Sequence, residues 1–380
     1  MWTLLALILG LICLPGTIEL GLLTLASFLR SRRDRQPQQG SFRLAIVVPA
    51  HNEEAAIAST VQDLMAKAAD RAAIYVVADN CQDATAGLAK AAGANILIRD
   101  CPQDRGKAAA LRFAFDKLTV QGFDGFLVLD ADSVISSHAV AEVRDALASG
   151  ADAVQCRNVV ANSAASQRTA LLALALAGFN GIRPKGRHQL GLSAGPLANG
   201  FAVPVRTLRR VPFTTSSIVE DLEYHLLLVQ AGLRVRFLNS AVIRSDMPAQ
   251  GPDTASQRAR WEGGRLGIVR TWLPRLLSRP HLRTVEPVLE LLTLPLAYQA
   301  VLIALWMLIA PSGWLRLAAY VSALILASHI AVATLYLERP LDGLRALLFA
   351  PFYALWKISL LPRTLRAAKP GADWAEKSTS

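Results

Sequence analysis

Apolar positions fall into two rhythms along this chain, and its middle reads as strands and helices in turn. Residues 44–48 (LAIVV) form a short β-branched run stopped by Pro49, the pattern of a buried strand. An alanine-rich helix follows from His51 to about residue 69. A second strand over 74–78 ends at Asp79-Asn80, and a helix over 84–92 is stopped by Gly93. A third strand covers 95–99. Gly106 opens a helix with apolar residues at helical spacing, and a fourth strand over 125–129 places Asp130 at its C-terminal end. Strands over 151–156, 200–205 and 233–239 and a helix over 218–231 complete the series. This alternation predicts an α/β fold, a mainly parallel sheet with helices on both faces. In such sheets ligands bind beyond the C-terminal strand ends, where Asp79 and Asp130 fall.

Both ends of the chain are more apolar. Residues 1–29 carry one charge, Glu19, and are followed by Arg30, Arg32, Arg33 and Arg35. A cleaved signal peptide has the reverse order, positive charge first, and about 25 apolar residues suffice to cross a bilayer. The arginines are expected to stay cytoplasmic, so the N-terminus faces out and the globular part faces the cytosol at the inner membrane. Residues 30–42 read as a basic linker and 43–283 as the globular domain. Further spans are expected over 284–310 and 317–337. Residues 344–362 contain Pro351, Lys357 and Pro362 and have basic flanks on both sides. That favours an interfacial or re-entrant helix, with the tail 367–380 in the cytosol, over a fourth span. The apolar helix over 163–182 suits either an interfacial position, with Arg183, Lys185 and Arg187 at the headgroups, or packing on the sheet.

Of the 380 residues 53% are hydrophobic and 18% charged, too many charges for a bundle of spans alone. The net charge of +11 is scattered and does not interleave with aromatics, which argues against a nucleic-acid partner. Arg275, Arg279, Arg339, Arg363 and Arg366 flank apolar segments, as anionic headgroups would favour. The four cysteines, Cys13, Cys81, Cys101 and Cys156, show no CxxC spacing, which excludes a zinc-thiolate site and suits a reducing compartment.

Four motifs carry candidate chemistry. Asp130 and Asp132 in LVLDADS can face a hard cation and a diphosphate together; Mg2+ or Mn2+ takes such oxygens and completes its shell with phosphates and water. Asp79, after the strand IYVVA, can accept a hydrogen bond from a base N–H, or simply close an Asx turn. Lys107 at a helix start suits an anion. Asp221 in IVEDLEYH can take a proton from an acceptor hydroxyl, with Glu220 beside it raising its pKa, although acids in a first turn also serve the helix dipole. In QRARW, Arg260 can hold a diphosphate and Trp261 can wall an acceptor site.

In this order the motifs resemble a membrane-bound family 2 glycosyltransferase with a GT-A fold, over about residues 44–265. VVPAHNEE is similar to the family's opening strand and turn, which implies that Pro49 and Glu53 lie at the nucleotide-sugar. VVADNCQDAT resembles the uracil-contacting segment, implying that role for Asp79, and RGKAAAL implies that Lys107 lies near the donor. DAD resembles the family's DxD, implying Asp132 as direct metal ligand with Asp130 beside it. LANGFAV resembles a GNG-type acceptor segment, placing Asn199 and Gly200 beside the acceptor. VED resembles TED, implying Asp221 as base and Glu220 beside it. QRARW resembles Q-x-x-RW, implying Gln257, Arg260 and Trp261 as a lid over acceptor and diphosphate. Ala78 replaces one of two adjacent acids usual in the family, and Val219 replaces the threonine of TED, which bears on nucleotide choice and base positioning. With about three spans, the chain is more similar to enzymes that glycosylate lipids, such as ceramide glucosyltransferases and exopolysaccharide glycosyltransferases, than to channel-forming synthases. The resemblance implies inverting transfer from a UDP-sugar, with Mg2+ or Mn2+, to a lipid or lipid-linked saccharide, with partners from a polysaccharide assembly pathway. A processive synthase and a nucleotide-sugar-binding scaffold without turnover are the alternatives.

Overall fold

The computed structural model describes residues 1–29, 42–195, 199–215, 217, 219–248, 252–278 and 281–368. The chain divides into two units. One comprises Arg32–Ala161 and Ser193–Asp246; the other comprises Met1–Ser31, Asn162–Leu192 and Met247–Ser380.

The first of these is built on eight strands: β1 (Leu44–Ala50), β2 (Ala72–Asp79), β3 (Asn95–Arg99), β4 (Gly125–Val128), β5 (Ser133–Ile135), β6 (Ala153–Val160), β7 (Phe201–Pro204) and β8 (Val235–Ser245). They form a single sheet in the order β3-β2-β1-β4-β7-β6-β8-β5. The β1–β2, β1–β4, β2–β3 and β6–β8 pairs are parallel, while β7 runs antiparallel to β4 and β6, and β5 to β8. Both faces are covered, which is why β1 is an unbroken apolar run. Leu44, Ile46 and Val48 enter one core with helices Ile57–Ala68 and Ala139–Ala148; Ala45 and Val47 enter another with helices Lys107–Thr119 and Glu220–Gln230. The last helix is seated by Tyr224, whose ring packs on Phe213 at 4.8 Å and whose hydroxyl donates to the Val211 carbonyl at 2.9 Å.

Local structure departs from the sequence reading in several places. The helix expected from His51 begins only at Ile57. Asn52 takes a positive φ of 53°, and the Glu53 and Glu54 amides donate to Thr85 and Asp83 across the loop. Strand β5 and helix Ala139–Ala148 lie where no element was expected.

In the other unit, Trp2–Ala26 and Trp314–Leu335 are long and apolar enough to cross a membrane. Arg283–Leu292 and Leu296–Ile309 pass the same test as a pair bent by 76°, giving two or up to three such segments among the described residues. In place of one helix over 344–362 there are three short ones, Pro340–Leu347, Ala350–Ser359 and Leu361–Ala367. The segment 163–182 is interrupted at its glycines, Gly178 and Gly181. It runs as Gln167–Ala177, a π turn at Gly178–Ile182, and a further helix Arg183–Gln189. Arg183 and Arg187 are not at headgroups: both are buried and bond Glu19 at 2.6 Å. Residues 30–41 of the basic linker expected over 30–42, and 369–380 of the tail expected over 367–380, fall outside the described residues. Cys13, Cys81, Cys101 and Cys156 are all free.

Candidate active site

Parallel strands deliver their C-terminal ends to one edge of the sheet, and the acidic residues gather there. Asp79 closes β2 and is 5% exposed. The parallel register sets Asp79 opposite Arg99 on β3, and the guanidinium bonds the carboxylate at 2.6 Å. Arg99 also reaches Asp104 at 2.7 Å; Asp104 pairs with Arg112 at 3.1 Å, and Arg112 donates to the Thr215 carbonyl at 2.8 Å. His51 Nδ1 lies 2.7 Å from the Asp79 carbonyl. Pro49 and Glu53, both half-buried, flank this turn.

Asp130 follows β4. Its Oδ1 accepts from the Lys107 amine at 2.6 Å, while Asp132 is exposed. Glu220 and Asp221 open helix Glu220–Gln230. Burial alone would lower the Lys107 pKa, but Asp130, Glu220 and Asp221 together raise it above the usual lysine range. One ammonium thus faces both acidic clusters. Burial pushes the Glu220 carboxyl up to about 7, with the Asp221 charge adding and Lys107 opposing. Asp221 is raised by burial too, against a hydrogen bond from the Leu222 amide and the charge of Lys107. A raised carboxyl at Glu220, next to Asp221 and close to a cation, is the kind of arrangement in which a base is poised.

The donor set suits a hard divalent cation. Asp130 and Asp132 offer carboxylate oxygens of the kind such a cation takes, and an anionic diphosphate entering beside them would bring a cation with it. Among the described residues no group of three or more His, Cys, Asp or Glu side chains could hold an ion alone. Such an ion would draw the rest of its shell from phosphate and water, as Mg2+ commonly does.

Asn199 and Gly200 lie directly behind the Asp130 loop. Asn199 Oδ1 accepts from the Asp130 amide at 3.0 Å, and its Nδ2 donates to Ser133 Oγ at 2.7 Å and Ser245 Oγ at 3.1 Å. Gly200 has φ +81°, and a Cβ there would meet Ile243 at 2.6 Å, so only glycine fits. Gln257, Arg260 and Trp261 lie on helix Pro252–Ser278 of the other unit. There Arg260 is half-buried, Trp261 is 38% exposed, and Arg258 stands over the Trp261 ring at 5.6 Å. The Gln257 side chain is outside the described set. Sequence reasoning missed Arg99, Asp104 and Arg112. A parallel register between β2 and β3 was the signal that would have paired Arg99 with Asp79.

Comparison with known proteins agrees with this architecture. The family described as Glycosyltransferase like family 2 matches residues 42–264, more than half of the chain, and the chain belongs to that family. It is a glycosyltransferase with a GT-A fold. It is 23% identical over 254 residues to the probable glycosyltransferase YdaM of Bacillus subtilis (strain 168), covering 64% of this chain and 60% of YdaM. It is 31% identical over 103 residues to the protein RfbJ of Shigella flexneri, covering 27% of this chain and 74% of RfbJ. Among solved structures, a mannosyltransferase of Pyrobaculum calidifontis, in complex with GDP-Man and Mn2+, superposes with a TM-score of 0.56 at 15% identity. That match covers 94% of this chain and 99% of the other.

Proposed function

We propose that the chain transfers a hexosyl unit from a UDP-sugar to a lipid or lipid-linked saccharide at the inner membrane face, with inversion, in exopolysaccharide or glycolipid synthesis. The observation that carries the reading is Lys107. Its amine bonds Asp130 and feels the charges of Glu220 and Asp221, so the carboxylate beside the expected diphosphate site and the candidate base share one cation. Asp130 and Asp132 would hold Mg2+ or Mn2+, which when bound offsets charge on the leaving diphosphate. Asp79 would accept from a base N–H, by its likeness to the uracil-contacting segment. Asp221 accepts the proton of the acceptor hydroxyl, and that oxygen attacks the anomeric carbon from the side opposite the nucleotide. Arg260 and Trp261 serve as a lid, by their likeness to Q-x-x-RW. The apolar helices anchor the enzyme, with N-terminus outside and residues 43–283 as the cytosolic catalytic region.

The test is a donor panel on purified full chain in detergent with Mn2+ or Mg2+ and a lipid extract. UDP-hexoses are compared with GDP-Man, the donor in the mannosyltransferase complex, and products are read by mass. A single hexose added from a UDP-sugar to a lipid species supports the proposal. A ladder of long chains would favour a processive synthase. Neither nucleotide release nor transfer from any donor would leave a non-catalytic scaffold.

A further inference from the structure

The loop carrying Asp130 and Asp132 is gripped from behind at several points. The Asp130 amide donates to Asn199 Oδ1 at 3.0 Å, and Ser133 Oγ accepts from Asn199 Nδ2 at 2.7 Å. One side chain therefore brackets the Asp-Ala-Asp triplet at both ends. The same Nδ2 reaches Ser245 Oγ at 3.1 Å, and the two serine hydroxyls lie 3.0 Å apart. This triangle falls where β5 pairs with β8, Ser133 opposite Ser245. The Asn199 main chain is held as well: its carbonyl accepts from Gln155 Nε2 at 2.9 Å, and the Gly200 amide donates to the Val128 carbonyl at 3.0 Å. In the middle of the loop the buried Thr60 hydroxyl donates to the Ala131 carbonyl at 2.7 Å.

We propose that Asn199 is a positioning residue for the metal-binding carboxylates, rather than a contact to the acceptor, and that it works with Ser133 and Ser245 as a clamp on the Asp130–Asp132 loop. An exposed carboxylate such as Asp132 binds a cation well only if its backbone is fixed in advance, and an amide side chain bonded to a main-chain N–H on one side and hydroxyls on the other does that. Both faces of the Asn199 amide are committed to this loop. Replacing it frees the Asp130 amide and leaves Ser133 and Ser245 with one partner fewer.

This inference rests on the metal reading above, and the test separates the two. Mn2+ binding to the purified full chain in the presence of UDP is measured from the free-ion electron paramagnetic resonance signal, for wild type, Asn199→Ala and Ser245→Ala. KM values for donor and acceptor are taken on the same samples. Asn199→Ala is expected to weaken Mn2+ binding about tenfold or more, the usual effect of removing a group that holds a metal ligand. The donor KM rises and the acceptor KM does not. Ser245→Ala shows the same pattern more weakly. Unchanged Mn2+ affinity in Asn199→Ala, or a raised acceptor KM with normal metal binding, overturns the clamp. If Asn199→Ala does not fold, Ser245→Ala decides: wild-type Mn2+ affinity there overturns the clamp, and weakened affinity supports it. A wild type that binds no Mn2+ with UDP overturns the metal reading itself.

Discussion

Asp221 begins a helix, where a carboxylate usually gains from the dipole, yet burial raises its pKa and Glu220 beside it reaches about 7. Two measurements follow at this scale. Asp221→Asn removes the proton acceptor and keeps the shape, so transfer should fall by about two to four orders of magnitude while UDP still binds, as titration calorimetry would show. Transfer at the wild-type rate would remove Asp221 as the base. The second concerns pH. The Glu220 carboxyl, raised to about 7, gains a proton as pH falls through that value, so the rate should drop on that side. Glu220→Gln removes this titration and should flatten that limb of kcat/KM. A limb unchanged in Glu220→Gln would show that Glu220 does not set it. The placement of Asp79 and Asp130 at strand ends and of Asp221 at a helix start was legible in the sequence, because each stands next to an apolar run. The Asn199 clamp was not, because its partners lie far apart in the chain and meet only once β5 pairs with β8.

Elements with a strong period were found close to their true limits, and those without one were not. Strand β3 was expected over 95–99 and is Asn95–Arg99. Strand β5 is three residues long, too short for any alternation to register. Glycine weakens helices, and the apolar helix expected over 163–182 contains two. Its glycines serve close approach instead: Gly178 lies against His329 and Gly181 against Tyr336, and the chain passes them in a π turn. One turn further, Gly186 faces the Leu23 backbone, and a Cβ there would run into the Leu23 carbonyl. Gly186→Ala must therefore push helix Arg183–Gln189 away from helix Trp2–Ala26, straining the Arg183 and Arg187 bonds to Glu19. A loss of about 1–3 kcal/mol is expected, as for overpacking elsewhere, measured as a lower thermal midpoint in detergent. An unchanged midpoint would show that this contact is not tight.

At the scale of the molecule, one unit is an α/β sheet with acidic residues at one edge, and the other is rich in apolar helices with ion pairs buried inside it. The parallel sheet was predictable because β1 is apolar on both faces and helices intervene between strands. The division of the chain was less so. Residues 162–192, between two strands of the sheet, belong with the apolar helices, and an alanine-leucine run suits a soluble core as well as a bilayer-side helix. The central claim is that one pocket holds a base opposite a diphosphate, so that transfer occurs by a single displacement. Proton NMR of the product made from an α-linked UDP-hexose tests it most directly, through the coupling at the new anomeric centre. A β-glycoside as first product is the predicted result, and an α-glycoside would contradict it.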